Sequence, residues 1–270
     1  MTSQPGPTPH QPTDSRARRF YEASYAGDSY AAVDAPEQHG KWREVTDFVQ
    51  RHQLAQRRCL EVGCGRGYFQ DLVADYTGLD LSANVREHLH KPFVQGSATA
   101  LPFAADSFDA VWTINALEHV PAPEVALAEI RRVLKPNGLL LLSPAWQCRP
   151  WAAQGYPVRP YRDFDWRGKL VKASIPLRNS LAFRSLHVLP RRLQRLAWWR
   201  AKRRPTRLTY VELAPNYDHS WMTDGDAVNS LDPFEAILWF VSRGDECLSH
   251  VDLRRQFLVR TNGLVFRIRE

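Results

Sequence analysis

Three glycines at alternate positions, Gly63, Gly65 and Gly67, follow a short apolar run in the stretch Cys-Leu-Glu-Val-Gly-Cys-Gly-Arg-Gly-Tyr that begins at Cys59. Lacking side chains, they let the backbone turn tightly and approach a bound group closely. The spacing departs from the dinucleotide fingerprint, whose third glycine falls one residue later. Asp80 follows Glu61 by 19 residues and closes the run Tyr76-Thr77-Gly78-Leu79-Asp80. That distance suits one strand–helix–strand unit, with the carboxylate placed to accept hydrogen bonds from a ribose diol. The pair predicts a nucleoside-like cofactor. Two histidines are candidates for proton transfer, His119 in Leu117-Glu118-His119-Val120 and His219 in Tyr217-Asp218-His219-Ser220-Trp221. A histidine can take the proton of an oxygen nucleophile at neutral pH.

The elements that must position these residues alternate. Short apolar runs predict strands at 58–62, 78–81, 93–96, 108–115 and 138–143, and helices are expected at 68–74, 84–90 and 123–133. Strands alternating with helices imply a parallel sheet covered on both faces. Residues 1–17, rich in Pro, Thr, Gln and Ser, read as a disordered tail. A helix is expected over 36–52, with Trp42, Val45, Phe48 and Val49 on one side. From 144 to about 216 Pro150, Pro157, Pro160, Pro176, Pro190 and Pro205 interrupt the pattern, although 190–204 looks helical, with Leu193, Leu196 and Ala197 on one side. A helix is expected again over 226–242, capped by Asp224 or Asp226. Two final strands are expected at 247–251 and 263–268.

Four segments in order resemble the class I S-adenosylmethionine-dependent methyltransferases, in particular the broad small-molecule group. They are the loop Glu61-Val62-Gly63-Cys64-Gly65-Arg66-Gly67, the acid Asp80, the run Gly96–Phe103 with Asp106–Val111, and Leu117–Val120 with Leu134–Leu140. The resemblance covers roughly residues 57–145, about a third of the chain. It implies a Rossmann-like α/β fold: a seven-stranded, mostly parallel sheet with helices on both faces and an acceptor-side insertion after strand five. The chain then divides into a tail (1–17), lid helices (18–56) to which Tyr21, Tyr25 and Tyr30 would belong, a cofactor-binding core (57–145), a basic acceptor-side insertion (146–216) and a C-terminal part of the core (217–270).

The implied cofactor is S-adenosylmethionine. Its implied contacts are Glu61, Gly63, Cys64, Gly65, Gly67, Asp80, Leu81, Ser97, Ala98, Asn115 and His119. In relatives the acid at Glu61 orients the methionine ammonium or the glycine loop. Many have a carboxylate where this chain has Ser97, whose hydroxyl would bind the adenine amino group more weakly; the backbone N–H of Ala98 does not depend on that side chain. Asn115-Ala116-Leu117-Glu118 departs from the Asn/Asp-Pro-Pro-Tyr/Phe tetrad of enzymes that methylate nucleobase or glutamine nitrogens, which favours oxygen. His119 or His219 would be the catalytic base; in relatives a histidine like His219 faces the acceptor pocket. No metal site is expected, because 115–120 offers only one carboxylate.

Net charge is +7, yet between Trp166 and Val211 stand 13 Lys and Arg and no acid, so the remainder of the chain is acidic. The basic segment suggests an anionic small-molecule or glycan acceptor, or peripheral membrane contact through 186–204. A sugar, lipid-linked glycan or natural-product hydroxyl is the expected acceptor. RNA modification through the same segment is the alternative, with an inactive cofactor-binding scaffold as a further one; nucleic acid is disfavoured by the acidic remainder and the missing tetrad. Four cysteines without metal-like spacing, no apolar leader and no membrane-length run lead to an expectation of a cytoplasmic protein with free thiols.

Overall fold

A computed structural model describes residues 12–27, 32–260 and 263–269. Seven strands form one sheet: β1 (Arg58–Val62), β2 (Asp75–Asp80), β3 (Phe93–Gln95), β4 (Phe108–Ile114), β5 (Leu134–Ser143), β8 (Glu246–Cys247) and β9 (Leu264–Arg267). Their order is β3-β2-β1-β4-β5-β9-β8. β1 to β5 run parallel, and β9 pairs antiparallel with both β5 and β8. This is the expected seven-stranded sheet.

Side chains of β5 alternate faces, as a strand's period of two requires. Leu140 and Leu142 join a core with α3 (Pro123–Val133) and α6 (Pro233–Val241), through Leu127, Ile130, Trp239 and Phe240. Leu139 and Leu141 join a second core with α2 (Trp42–Arg51), through Val45, Phe48 and Val49. The sheet is therefore covered on both faces, and its middle strands bury apolar side chains in both directions.

Several elements differ from expectation for local reasons. Where a helix was expected over 68–74, a single 3-10 turn, Gln70–Leu72, stands. Only the twelve residues 63–74 join β1 to β2, near the minimum for a parallel crossover, and the glycine turn uses the first of them. The helix expected over 84–90 is a 3-10 segment, Ala83–His88, capped by the Ser82 hydroxyl. The span 36–52 holds a 3-10 turn, Pro36–Gln38, and then α2.

The proline-rich region is largely helical: α4 (Trp166–Asn179) contains Pro176 and α5 (Leu181–Lys202) contains Pro190. Each proline removes one helix hydrogen bond, but both stand on exposed surface, where water can take the freed carbonyl. Asp165 caps α4, accepting from the Gly168 N–H at 2.7 Å, and Ser180 ends α4 and caps α5. Of Leu193, Leu196 and Ala197, expected on one side, only Leu196 is buried.

The hairpin β6 (Tyr210–Glu212) with β7 (Asn229–Leu231) occupies part of the span where a helix from 226 was expected; α6 begins at Pro233 and its cap is Asp232, not Asp224 or Asp226. A short α7 (Leu253–Phe257) lies in the loop between β8 and β9. Near the N-terminus, α1 (Pro12–Tyr25) takes in residues 12–17 of the expected tail, while residues 1–11 and Tyr30 lie outside the described residues. All four cysteines are free and buried, and no described helix is long and apolar enough to cross a membrane.

Candidate active site

Strand order reverses between β1 and β4, and the carboxyl edge of a parallel sheet at such a point opens a crevice. A cavity lies there, lined by Gly63 after β1, Asp80 and Leu81 after β2, Ser97 and Ala98 after β3, and Asn115 and His119 after β4. Ala17, Tyr21 and Tyr25 of α1 also line it, so two of the three tyrosines expected in a lid stand at the cavity.

The glycine turn fits tightly into this edge. Gly63 has φ +77°, and its N–H donates to the Leu79 carbonyl at 2.8 Å. A Cβ at Gly63 would lie 2.4 Å from the Ala116 Cβ; one at Gly65 would lie 2.8 Å from the Tyr25 hydroxyl. Gly63 therefore needs glycine for space as well as for backbone conformation, whereas at Gly65, φ +47°, the end of the Tyr25 side chain can give way and the backbone conformation is what favours glycine.

Asp80 is buried, and its two oxygens accept one backbone N–H each, from Ser82 at 3.0 Å and Gly65 at 3.0 Å. Burial nevertheless pushes its carboxyl above the ordinary range, because desolvation outweighs these donors. A carboxylate has about four acceptor positions, so the pair of bonds fixes Asp80 and leaves capacity for a diol. This matches the demand of a ribose.

Ser97 is occupied locally: its hydroxyl lies 2.8 Å from that of Thr99 and accepts the Thr99 N–H at 3.3 Å. Asn115 adopts φ +47° at the end of β4 and exposes its side chain at the cavity mouth.

His119 follows on a 3-10 turn, Leu117–His119. Its Nδ1 lies 3.4 Å from Asp226 Oδ2, an ion-pair distance without hydrogen-bond alignment. The Tyr21 hydroxyl donates to the same Asp226 oxygen at 2.8 Å. Glu118 is buried, and its Oε1 stands 3.8 Å from His119 Nε2, beyond hydrogen-bond reach. Burial pushes the Glu118 and Asp224 carboxyls up, while the nearby His119 opposes the rise in both.

Other expected site residues stand elsewhere. Glu61 does not line the cavity: it is buried in the core under β1 and accepts the Tyr76 hydroxyl at 2.6 Å. Burial pushes its carboxyl up to about 8, against that donor. Cys64 packs its sulfur where a Cβ on Gly78 would meet it at 2.9 Å. Gly65 acts through its N–H on Asp80, and Gly67 lies under Leu89; none of these three lines the cavity.

His219 is exposed, stacks on Trp221 with ring centroids 5.2 Å apart, and is not part of the cavity wall. Its neighbour Asp218 pairs with Arg16 at 3.3 Å and does not orient it. The residue that does face an imidazole, Asp226, carried no local signal beyond being acidic, since it meets His119 across 107 positions of chain.

Residues 60–142 match a family model described as a methyltransferase domain. Over 141 residues the chain is 38% identical to an uncharacterized methyltransferase of Mycobacterium avium, covering 48% of this chain and 51% of that protein. It is 36% identical over 138 residues to phthiotriol/phenolphthiotriol dimycocerosates methyltransferase 1 of Mycobacterium ulcerans, covering 44% and 51%. It is 31% identical over 188 residues to a fatty-acid O-methyltransferase of Mycolicibacterium smegmatis, covering 59% and 64%. The chain thus spans between 51% and 64% of the length of these relatives.

Proposed function

Because residues 60–142 match the model of a methyltransferase domain, we propose that this chain is a class I, S-adenosylmethionine-dependent enzyme that transfers a methyl group to an oxygen of a small or lipid-type acceptor. The observation that carries the reading is the convergence of Asp80, the Gly63 turn, Ala98 and His119 on one cavity beneath α1. S-adenosylmethionine supplies an electrophilic methyl on a sulfonium, so the protein has chiefly to bind, orient and exclude water. Asp80 holds the ribose hydroxyls, the Ala98 backbone serves the adenine, and the Gly63 turn lets the methionine part approach the sheet. Tyr21 and Tyr25 cover the site and keep water from it.

An acceptor hydroxyl must lose its proton. His119 takes it, and the Asp226 carboxylate, held by Tyr21 and 3.4 Å from Nδ1, favours the imidazolium that forms. Relatives named for a fatty acid and for phthiotriol lipids support an acceptor of lipid character.

Calorimetric titration with S-adenosylmethionine and S-adenosylhomocysteine, followed by labelled-methyl transfer to fatty acids and lipid alcohols, tests the reading. Micromolar cofactor binding with label in an acceptor oxygen is expected. Binding of neither cofactor would overturn it.

A further inference from the structure

The insertion carrying α4 and α5 leaves the sheet at the carboxyl end of β5, the edge on which the cavity opens. Its outer surface is unusual for a protein face turned to water. On α4, Trp166, Leu170 and Leu177 are 66, 62 and 62% exposed. At about 100° per residue these three positions fall within about 40° of one another. The buried residues of α4, Gly168 and Ile175, lie on the opposite side. On α5, Leu186 and Leu193 are 72 and 60% exposed, and with Leu189 they form a second outward stripe. The buried Arg192 and Leu196 turn toward α6. α4 therefore has one side committed to the protein and an apolar stripe on the other, while on α5 the exposed stripe lies about 70° round the helix from the buried pair.

Charge accompanies the stripes. Of the 13 basic residues between Trp166 and Val211, two pair with acids, Arg192 with Asp232 at 2.6 Å and Arg195 with Glu235 at 2.9 Å; of the rest, Lys172 donates to the Tyr156 and Pro157 carbonyls, Arg184 to the Gln147 amide oxygen, and Arg178 lies over the Trp151 ring. Among the described residues no carboxylate pairs with the other eleven. By the same rotation per residue Arg167 and Lys169 flank the α4 stripe and Arg200 continues the α5 stripe, all three exposed.

Apolar stripes bordered by cations without acidic partners match the interface of an anionic bilayer, where leucine and tryptophan enter the acyl boundary and cations meet headgroups. RNA would use the cations but leave the leucines in water. We infer that α4 and α5 dock this protein on an anionic membrane surface, with the cavity edge of the sheet toward the bilayer. The docking stands on this surface alone and does not depend on methyl transfer.

Sedimentation of the full chain with vesicles of phosphatidylcholine alone and of phosphatidylcholine with phosphatidylglycerol tests it. Binding to the anionic vesicles, falling as salt rises, is expected. The pair Leu186→Ser with Leu193→Ser should weaken it at least about tenfold, and each of Arg200→Gln and Lys169→Gln about fivefold. All these side chains are exposed, and unchanged circular dichroism and cofactor affinity in the variants show that fold and site persist. Failure to bind anionic vesicles, or binding indifferent to the leucine pair, overturns the inference, as does salt-sensitive binding to a single-stranded RNA by a protein that ignores vesicles. Cofactor affinity, measured without vesicles, tests the methyltransferase reading separately.

Discussion

Tyr21 and Asp226, 205 positions apart in the chain, are joined by a hydrogen bond of 2.8 Å from the tyrosine hydroxyl to the carboxylate. The bond ties α1 to the loop that places Asp226 beside His119. One carboxylate oxygen thus meets both α1, through a hydrogen bond, and the imidazole, at an ion-pair distance of 3.4 Å. Tyr21→Phe should speed cofactor release and lower turnover several-fold, whereas Asp226→Asn should lower turnover with little change in cofactor affinity. His119→Ala should abolish turnover and His219→Ala should leave it near wild type. Stopped-flow cofactor release and labelled-methyl turnover on the four variants check this; equal losses in the two histidine variants would remove His119 from its role.

The Glu61 carboxyl keeps its proton in the folded protein up to about 8, against an ordinary value of 4.5. Between those two values the native state binds the extra proton. This contribution to stability is therefore fully present below about pH 4.5 and is lost as pH rises toward 8. Glu61→Gln, whose amide oxygen can still accept the Tyr76 hydroxyl, should be free of that loss. Melting temperatures from pH 5 to 9 should show the wild type falling relative to the variant by several degrees. Parallel curves would show that Glu61 is ionised in its buried position.

Gly63→Ala combines two costs. The left-handed backbone at φ +77° costs a non-glycine residue about 1–3 kcal/mol. The contact with Ala116 at 2.4 Å adds overpacking of about 1–3 kcal/mol. Gly244→Ala is an informative control: it has φ +91° but nothing within 4 Å of an added Cβ, so only the backbone cost applies. Chemical denaturation should rank Gly63→Ala as the less stable of the two, and the reverse order would mean that the glycine loop gives way easily.

Asp80 must be ionised to accept strongly from a diol, and burial raises its pKa. Cofactor affinity should therefore weaken as the solution is acidified, earlier than an exposed aspartate would allow. Asp80→Asn should cost about tenfold or more, the worth of charge-assisted hydrogen bonds, and should flatten the pH dependence. Titration calorimetry between pH 5 and 8 reads both effects.

The sequence by itself determined the sheet and the cofactor edge. Apolar runs of strand length, the glycines at 63, 65 and 67 and the acid at 80 are local features, and a strand, a turn and its closing carboxylate are local structures. Gly63, Asp80, Leu81, Ser97, Ala98, Asn115 and His119 consequently meet in one cavity as their order implied. The tertiary structure decided what depends on distant packing. It put Glu61 against Tyr76 inside the core, because successive residues of a strand face opposite sides and Glu61 falls on the α2 side. It left room for only a 3-10 turn after the glycines, and it let α4 and α5 run through Pro176 and Pro190, where exposure leaves the freed carbonyls to water. It left His219 outside and brought Asp226 to His119 instead, since which carboxylate faces which imidazole is set by how α1, β7 and the end of β4 pack together, and no periodicity in the chain records that.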